Sequence, residues 1–292
     1  MDFYNGKELI QKCQQENLPI SAIMKLRETT TGTLSDTEVV EKLNTALSIM
    51  KHSATKPLEN PGKSIGGLIG GEAKKIADHG KTSDCVCGSM LSKAIAYSMA
   101  VLEVNASMGL IVAAPTAGSS GVVPGVLLAL SDEHNIDDNA LCNGLLTAAA
   151  IGYLLMRNSS VSGAEAGCQA EVGAASAMAA AAIVEIMGGT PKMCLDAASF
   201  AISNLLGLVC DPIAGLVQLP CAQRNASQSL NAMLSADLAL GGMESVVPAD
   251  EVIEAMYKVG KKLPMEMKET ALGGIAATPT GKRIQEEIFG NA

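Results

Sequence analysis

Residues 170–187 read AEVGAASAMAAAAIVEIM. Alanine forms helix more readily than any other residue, and the stretch shows no two-residue alternation of the kind a half-buried strand requires. A helix over 170–187 follows. The side chains are small throughout, so whatever packs against this helix can approach it backbone to backbone. The same style continues on both sides. Ala/Leu/Met segments separated by Gly- and Pro-rich joints predict helices over 89–104, 121–131, 138–156, 191–207, 222–240, 250–259 and 282–289. Nearer the start, helices are predicted over 5–17, stopped before Pro19, and over 20–30. Ser35 and Glu38 form a capping box, with Val39, Val40, Leu43, Ala46, Leu47 and Met50 at helical spacing behind it. Residues 56–72, KPLENPGKSIGGLIGGE, are Pro/Gly-rich and predict an irregular loop, a surface excursion or the wall of a site. Ile111–Ala114 and Val246–Val247 are the only weak strand candidates. The expected fold is all-α, one multi-helix domain over 1–292 with the helices of residues 1–55 packed on it.

Composition agrees with tight helix packing. Of 292 residues none is Trp, four are Tyr and three are Phe, so Ala, Gly, Leu and Met must fill the core. Lys plus Arg number 21 against 30 Asp plus Glu, a net charge of −9 with no basic run. Phosphate backbones need clustered cations, so no nucleic-acid partner is expected. The N-terminus MDFYNGKELIQKC carries charges early and lacks a secretory apolar run. The apolar runs 108–115 and 172–187 are interrupted short of the ~20 residues a membrane span takes. The expected location is cytoplasmic, away from membranes. Eight cysteines in a reducing compartment point to buried thiols, metal ligands or catalysis before disulfides.

Cys13, Cys142 and Cys194 fall within helical patterns and read as small buried apolar residues. Cys85 and Cys87, in TSDCVCGSM, resemble half of a metal site, but no second pair stands at zinc-site spacing. Cys168, Cys210 and Cys221 all fall at predicted element ends: in SGAEAGCQAEVG, in VCDPIAG, and at the start of CAQRNASQSLNAML. A thiol at a helix N-terminus is biased toward thiolate. Cys210 and Cys221 are eleven positions apart, and on spacing alone unrelated structural thiols explain all three better than a shared site does. The loop AAPTAGSSGVVPG at 113–125 offers successive backbone N–H groups ahead of a helix, an anion nest or a tight turn. It is neither a Walker loop nor a dinucleotide fingerprint, and a carboxylate suits it better than a triphosphate. A faint echo, AATPTG, occurs at 276–281. His52, placed after a helix end, His79 and His134 read as surface residues. No Ser/His/Asp triad or HExxH helix is spelled.

Four stretches together carry a resemblance: NASMGLIVAAPTAGSSGVVPGVL, SGAEAGCQAEVGAASAMAAAA, GLVCDPIAGLVQLPCAQRNA and KETALGGIAATPTG. From about residue 20 onward the chain resembles the alpha chains of iron–sulfur-dependent L-serine dehydratases (L-serine ammonia-lyases) of the two-subunit bacterial type. The resemblance implies a mostly helical catalytic domain whose Gly/Pro-rich loops form the site. It implies a [4Fe–4S] cluster held by three cysteines, which match Cys168, Cys210 and Cys221. The iron left open would act as a Lewis acid on the serine hydroxyl, a base would remove the α-proton, and aminoacrylate would pass through an imine to pyruvate and ammonia without pyridoxal phosphate. Sensitivity to oxygen is expected.

On the same grounds the 115–121 loop is expected to cradle the substrate carboxylate. Thr116, Ser119 and Ser120 would be its reactive-site hydroxyls, with Thr116 and Ser119 the most exposed to substrate. Gly118 and Gly121 would contact substrate, and Arg224 and Asn225 would hold its carboxylate or orient the cluster, a helix-capping or salt-bridging arginine being an equal reading; Lys268 is a weaker substrate candidate, while Glu165 and Glu171 would support the cluster. Single-chain relatives carry an SSHT motif whose histidine is a candidate base. This chain lacks it, so the base is expected on a separate beta subunit. Some single-chain members also end in a cysteine that ligates the cluster at rest. Here the sequence ends EEIFGNA, so that restraint is expected to be absent. Two alternatives remain at this level: the same fold and cluster acting on L-threonine or L-cysteine, and a helical binding subunit without chemistry.

Overall fold

In the computed structural model, which describes residues 1–290, the chain forms thirteen α-helices. They are α1 (Gly6–Glu16), α2 (Ile20–Thr30), α3 (Asp36–Glu59), α4 (Glu72–His79), α5 (Gly88–Ala106), α6 (Val122–His134), α7 (Asp138–Asn158), α8 (Gly163–Ala166), α9 (Ala174–Ile186), α10 (Pro191–Ser203), α11 (Cys221–Leu240), α12 (Ala249–Lys262) and α13 (Pro279–Phe289). No strand occurs among the described residues, and neither strand candidate forms one. The isolated bridge between Cys210 and Lys268 lies elsewhere.

Side-chain caps set five of the thirteen helix starts. The Asn5 side chain accepts from Glu8 N, Asp137 from Ala140 N, Thr190 from Met193 N and Thr278 from Gly281 N. Each satisfies an N–H that the first helical turn leaves without a partner. The Ser35–Glu38 capping box closes in both directions. Pro191 and Pro279 occupy first-turn positions, where the missing N–H is harmless. The Thr278–Pro279 start puts the last helix three residues ahead of its expected origin.

Two other departures have physical causes. α3 does not stop at residue 56 but continues through Pro57 to Glu59, so the loop is shorter and His52 lies inside the helix. α4 was not legible because Gly71 supplies no side-chain cap. Its cap comes from a remote residue instead: the buried Glu103 of α5, whose Oε1 accepts from Ala73 N at 2.8 Å.

The Ala-rich α9 is the axis of the molecule. Residues 174–184 are all buried, and α7, α10, α11 and α6 pack around them. A second layer forms where α5 meets α6, α11, α3 and α4. The α5–α6 crossing depends on Gly121 and Gly125: a Cβ at Gly121 would run into the Ser98 carbonyl, and one at Gly125 would stand 2.8 Å from the Ser98 amide nitrogen. α7 and the 169–186 segment are long and apolar enough to cross a membrane, but both are mostly buried inside the fold, which makes them core helices. Scarce aromatics are concentrated where the N-terminus docks. Phe3 meets Tyr153 edge-on at 5.4 Å, and Arg27 lies 3.8 Å over the same ring while its Nε reaches Asp2 Oδ1 at 2.8 Å.

Candidate metal centre

The segment between α7 and α9 carries Cys168. α8 ends at Gly167, and Cys168 then opens a π-helical turn, Gln169–Gly173, that runs directly into α9. Such wider turns change which way a helical side chain faces and recur at functional sites. Here the turn holds Cys168 and Glu171 together. Gln169, itself buried, fixes the neighbouring strand of backbone: its amide N donates to Leu208 O (3.0 Å), its Oε1 accepts from Gly207 N (2.9 Å) and its Nε2 reaches Met256 O on α12 (3.0 Å). That lock places Cys210 opposite Cys168.

Cys210 is held from its other side by the C-terminal segment. Its N–H donates to Met267 O at 2.9 Å, and its carbonyl accepts from Glu269 N at 2.8 Å. The next residue, Asp211, is buried and joins two elements. Its Oδ1 meets Arg224 NH2 of α11 at 2.7 Å, and its Oδ2 accepts from Ile275 N at 2.7 Å. Gly274 has φ +57° and faces Asp211 so closely that no side chain would fit. Arg224 also donates through NH1 to Val209 O at 2.9 Å.

The ligand atoms of Cys168, Glu171 and Cys210 lie within 4.8 Å of one another. Cys168 and Cys210 are buried; Glu171 is half-buried. The neighbouring Cys210 thiol and, after it, the Arg224 guanidinium bias Cys168 toward thiolate against its burial. The proximity of Cys168, together with burial and the neighbouring negative charge, keeps the proton on Cys210. Burial raises the Glu171 carboxyl, with Glu269 adding to it. Cys221, buried at the first position of α11, is one helical turn before Arg224 and lies outside the three-residue group. Burial first, then the charge of Cys168 and Glu171, raises its thiol, so it still senses the same centre.

The 113–121 loop stands beside this cluster. Thr116 Oγ1 donates to Glu171 Oε1 at 2.9 Å and meets Ser119 Oγ at 3.1 Å. Ser119 is fully buried and donates to Ala114 O; Ser120 is fully buried and donates to Ala117 O. The expectation that Ser119 is among the hydroxyls most open to substrate is therefore corrected: these serines brace the loop from within. The amides of Ala117, Gly118 and Ser119 find no acceptor among the described residues. Successive N–H groups without an internal acceptor are what an anion-binding nest is built from. Asn225, also fully buried, accepts from Gly121 N (3.0 Å) and donates to Gly118 O (2.7 Å). Its amide also donates to Cys221 O (2.9 Å), so both ends engage backbone and the side chain ties the loop to α11.

Other expectations are placed as follows. Lys268 is half-buried and brought next to Cys210 by the backbone bridge. Glu165 turns away to Ser160 Oγ (2.7 Å). The 60–71 loop packs on the segment that leads into α11: Gln218, three residues before Cys221, takes Ser64 Oγ (2.5 Å) and Leu68 N (3.1 Å) on its Oε1. His52, His79 and His134 are all exposed. The Cys85 thiol meets Ser92 Oγ at 2.8 Å, away from the cluster. Asp211, Gln169 and Gln218 were missed by sequence reasoning. The Asp–Pro step at 211–212 marked a turn, but nothing in it signalled an ion pair with Arg224. Behind the 113–121 loop lies a cavity of about 480 Å³, walled by Met24, Leu43, Pro115, Tyr153 and Met178 among others. Its lining is mostly apolar, with Arg27, Glu28 and Lys42 also on its wall.

Residues 15–276 match the family model described as serine dehydratase alpha chain. The chain is 45% identical over 290 residues to the probable L-serine dehydratase alpha chain of Bacillus subtilis (strain 168), covering 99% of this chain and 96% of that one. It is 46% identical to the L-serine dehydratase alpha chain of Peptoniphilus asaccharolyticus, covering 97% of each. An L-serine dehydratase of Escherichia coli (strain K12) is 35% identical over 94% of this chain, which spans 62% of that longer protein.

Proposed function

Because the chain belongs to the serine dehydratase alpha-chain family, we propose that it is the alpha subunit of an L-serine dehydratase that releases pyruvate and ammonia from L-serine in concert with a beta subunit. The observation that carries this reading is the convergence of Cys168 and Cys210, 42 residues apart in sequence, on one buried centre with Arg224 and Glu171 beside them. The donor set fits an iron–sulfur cluster. Cys168 and Cys210 converge, Cys221 is buried near enough to feel their charge, one of the three is biased toward thiolate, and thiolate is the ligand such clusters take. Cys168, Cys210 and Cys221 would hold a [4Fe–4S] cluster. When bound, it supplies an iron with an unfilled position, a Lewis acid for the hydroxyl of the substrate.

The chain's own residues supply the rest of the setting. The free amides of Ala117, Gly118 and Ser119 receive the substrate carboxylate. Asn225 holds the loop in register with α11, so the nest and the thiols keep a fixed relation. Arg224, anchored by Asp211 and Val209, sets positive charge beside Cys168 and offsets the negative charge gathered there. Thr116 fixes the orientation of Glu171. No histidine approaches the centre, and the beta subunit is assigned the group that removes the α-proton.

Anaerobic reconstitution with iron and sulfide tests the reading. A brown protein is expected, with pyruvate formed from L-serine once the beta subunit is added. Cys→Ala at 168, 210 or 221 should abolish the colour, and Cys13→Ala should leave it. Complete cluster assembly without Cys210, or an iron-free wild-type chain after reconstitution, defeats the proposal.

A further inference from the structure

Glu171 has no place in a three-thiol ligand set, yet it stands within ligand distance of two of the thiols. Its Oε1 is occupied by the Thr116 hydroxyl, which leaves Oε2 turned toward Cys210 Sγ at 3.8 Å. Gly163 makes room for this arrangement. A Cβ there would run into Glu171 Oε2 and come within 3.0 Å of Cys210 Sγ. We infer that the cluster-free chain binds a single divalent transition-metal ion, such as Fe²⁺ or Zn²⁺, between Cys168 Sγ, Cys210 Sγ and the Glu171 carboxylate, leaving Cys221 out.

Distance, donor chemistry and charge each support this site. Ligand atoms within 4.8 Å of one another can close on one ion at metal–sulfur and metal–oxygen bonds of about 2.0–2.3 Å with small side-chain rotations. Two thiolates and a carboxylate select borderline ions over Ca²⁺ or Mg²⁺, which want all-oxygen shells. The Thr116 hydroxyl acts as the outer partner that fixes the carboxylate. With the ion bound, two thiolates and one carboxylate leave a single net negative charge, next to the Arg224 guanidinium. Each ligating thiol gives its proton to solvent and no electron is transferred. The site does not depend on the cluster. It uses a carboxylate where the cluster would use the third thiol.

The test uses the full chain, reduced, stripped with chelator and kept anaerobic, with Co²⁺ as the probe. One equivalent should bind with thiolate-to-cobalt charge-transfer absorption, and X-ray absorption should count two sulfur ligands with oxygen or nitrogen completing the shell. Cys221→Ala should bind Co²⁺ as the wild type does while failing to assemble a cluster. Glu171→Gln should weaken Co²⁺ binding by more than tenfold at unchanged helical content, and Thr116→Val by about 10–100-fold. Three sulfurs around the ion, loss of binding in Cys221→Ala, an unaltered affinity in Glu171→Gln, or no binding at all would each overturn the inference. The sulfur count needs only wild-type protein, so it stands even where a variant misfolds. A wild-type chain that binds Co²⁺ through two sulfurs but never forms a cluster defeats the functional reading alone.

Discussion

Asn225→Ala isolates the link between the loop and the thiol-bearing helix. Asn225 is fully buried, and its amide serves Gly121 N and Gly118 O, two backbone groups with no substitute partner nearby. Its third bond, to Cys221 O, duplicates a helical acceptor and matters less. An orphaned buried group costs about 1–3 kcal/mol, and the vacated side-chain volume adds to that. The expected loss is about 3–5 kcal/mol. At about 2 °C per kcal/mol for a chain of this size, the melting temperature should fall by about 6–10 °C. Asn225→Asp keeps the acceptor for Gly121 N but turns a second oxygen toward two carbonyls. At pH 7 it should be at least as damaging as alanine. It should recover partly on acidification, because a proton on the buried carboxyl restores a donor. Thermal melts at pH 5 and pH 7, with amide exchange at Gly121, measure both effects. An alanine variant within about 1 kcal/mol of wild type, or an aspartate variant of wild-type stability at pH 7, refutes the assignment.

Three further outcomes are expected. Gly121→Ala forces a methyl into the Ser98 carbonyl at the α5–α6 crossing, and overpacking of this kind should cost about 1–3 kcal/mol in a denaturant titration. Arg224→Met removes the partner of buried Asp211 and should destabilise by about 3–5 kcal/mol; Arg224→Lys should lose less, since a cation remains. Burial raises the Glu103 carboxyl, so the folded state holds that proton more tightly than the unfolded chain. Stability from this group is therefore present at low pH and lost as pH rises through the folded-state value. Glu103→Gln should flatten that decline in melts taken from pH 4 to 8, and an unchanged slope would show that Glu103 is not its source.

The helices were legible where the signal is local. The capping box at Ser35–Glu38 and the alanine run of α9 state their structure in adjacent residues. α4 was hidden because its cap is Glu103, thirty positions away. The extension through Pro57 was hidden because the residue weighs against continuation, while the tertiary packing of α3 on α5 outweighs it. The site divides in the same way. Its thiols were found through a family resemblance, since their spacing alone favoured unrelated cysteines. Glu171 was legible as a sequence neighbour of Cys168, but its approach to Cys210, 39 residues further on, only the fold supplies. Asn225 was read as a substrate contact. Polarity marks a residue as important, but only the fold shows that both ends of its amide face backbone.

Cys210 borrows its backbone partners from Met267 and Glu269, and Asp211 takes one of its own from Ile275. During synthesis on the ribosome, a nascent chain that has exposed Cys168, Cys210 and Cys221 still lacks the strap that seats the middle thiol. Iron arriving at that moment would meet three sulfurs on an unfinished frame. On the proposed reading, maturation waits until nearly the whole polypeptide has emerged, and a premature stop between residues 222 and 264 leaves all three thiols but no strap to seat Cys210.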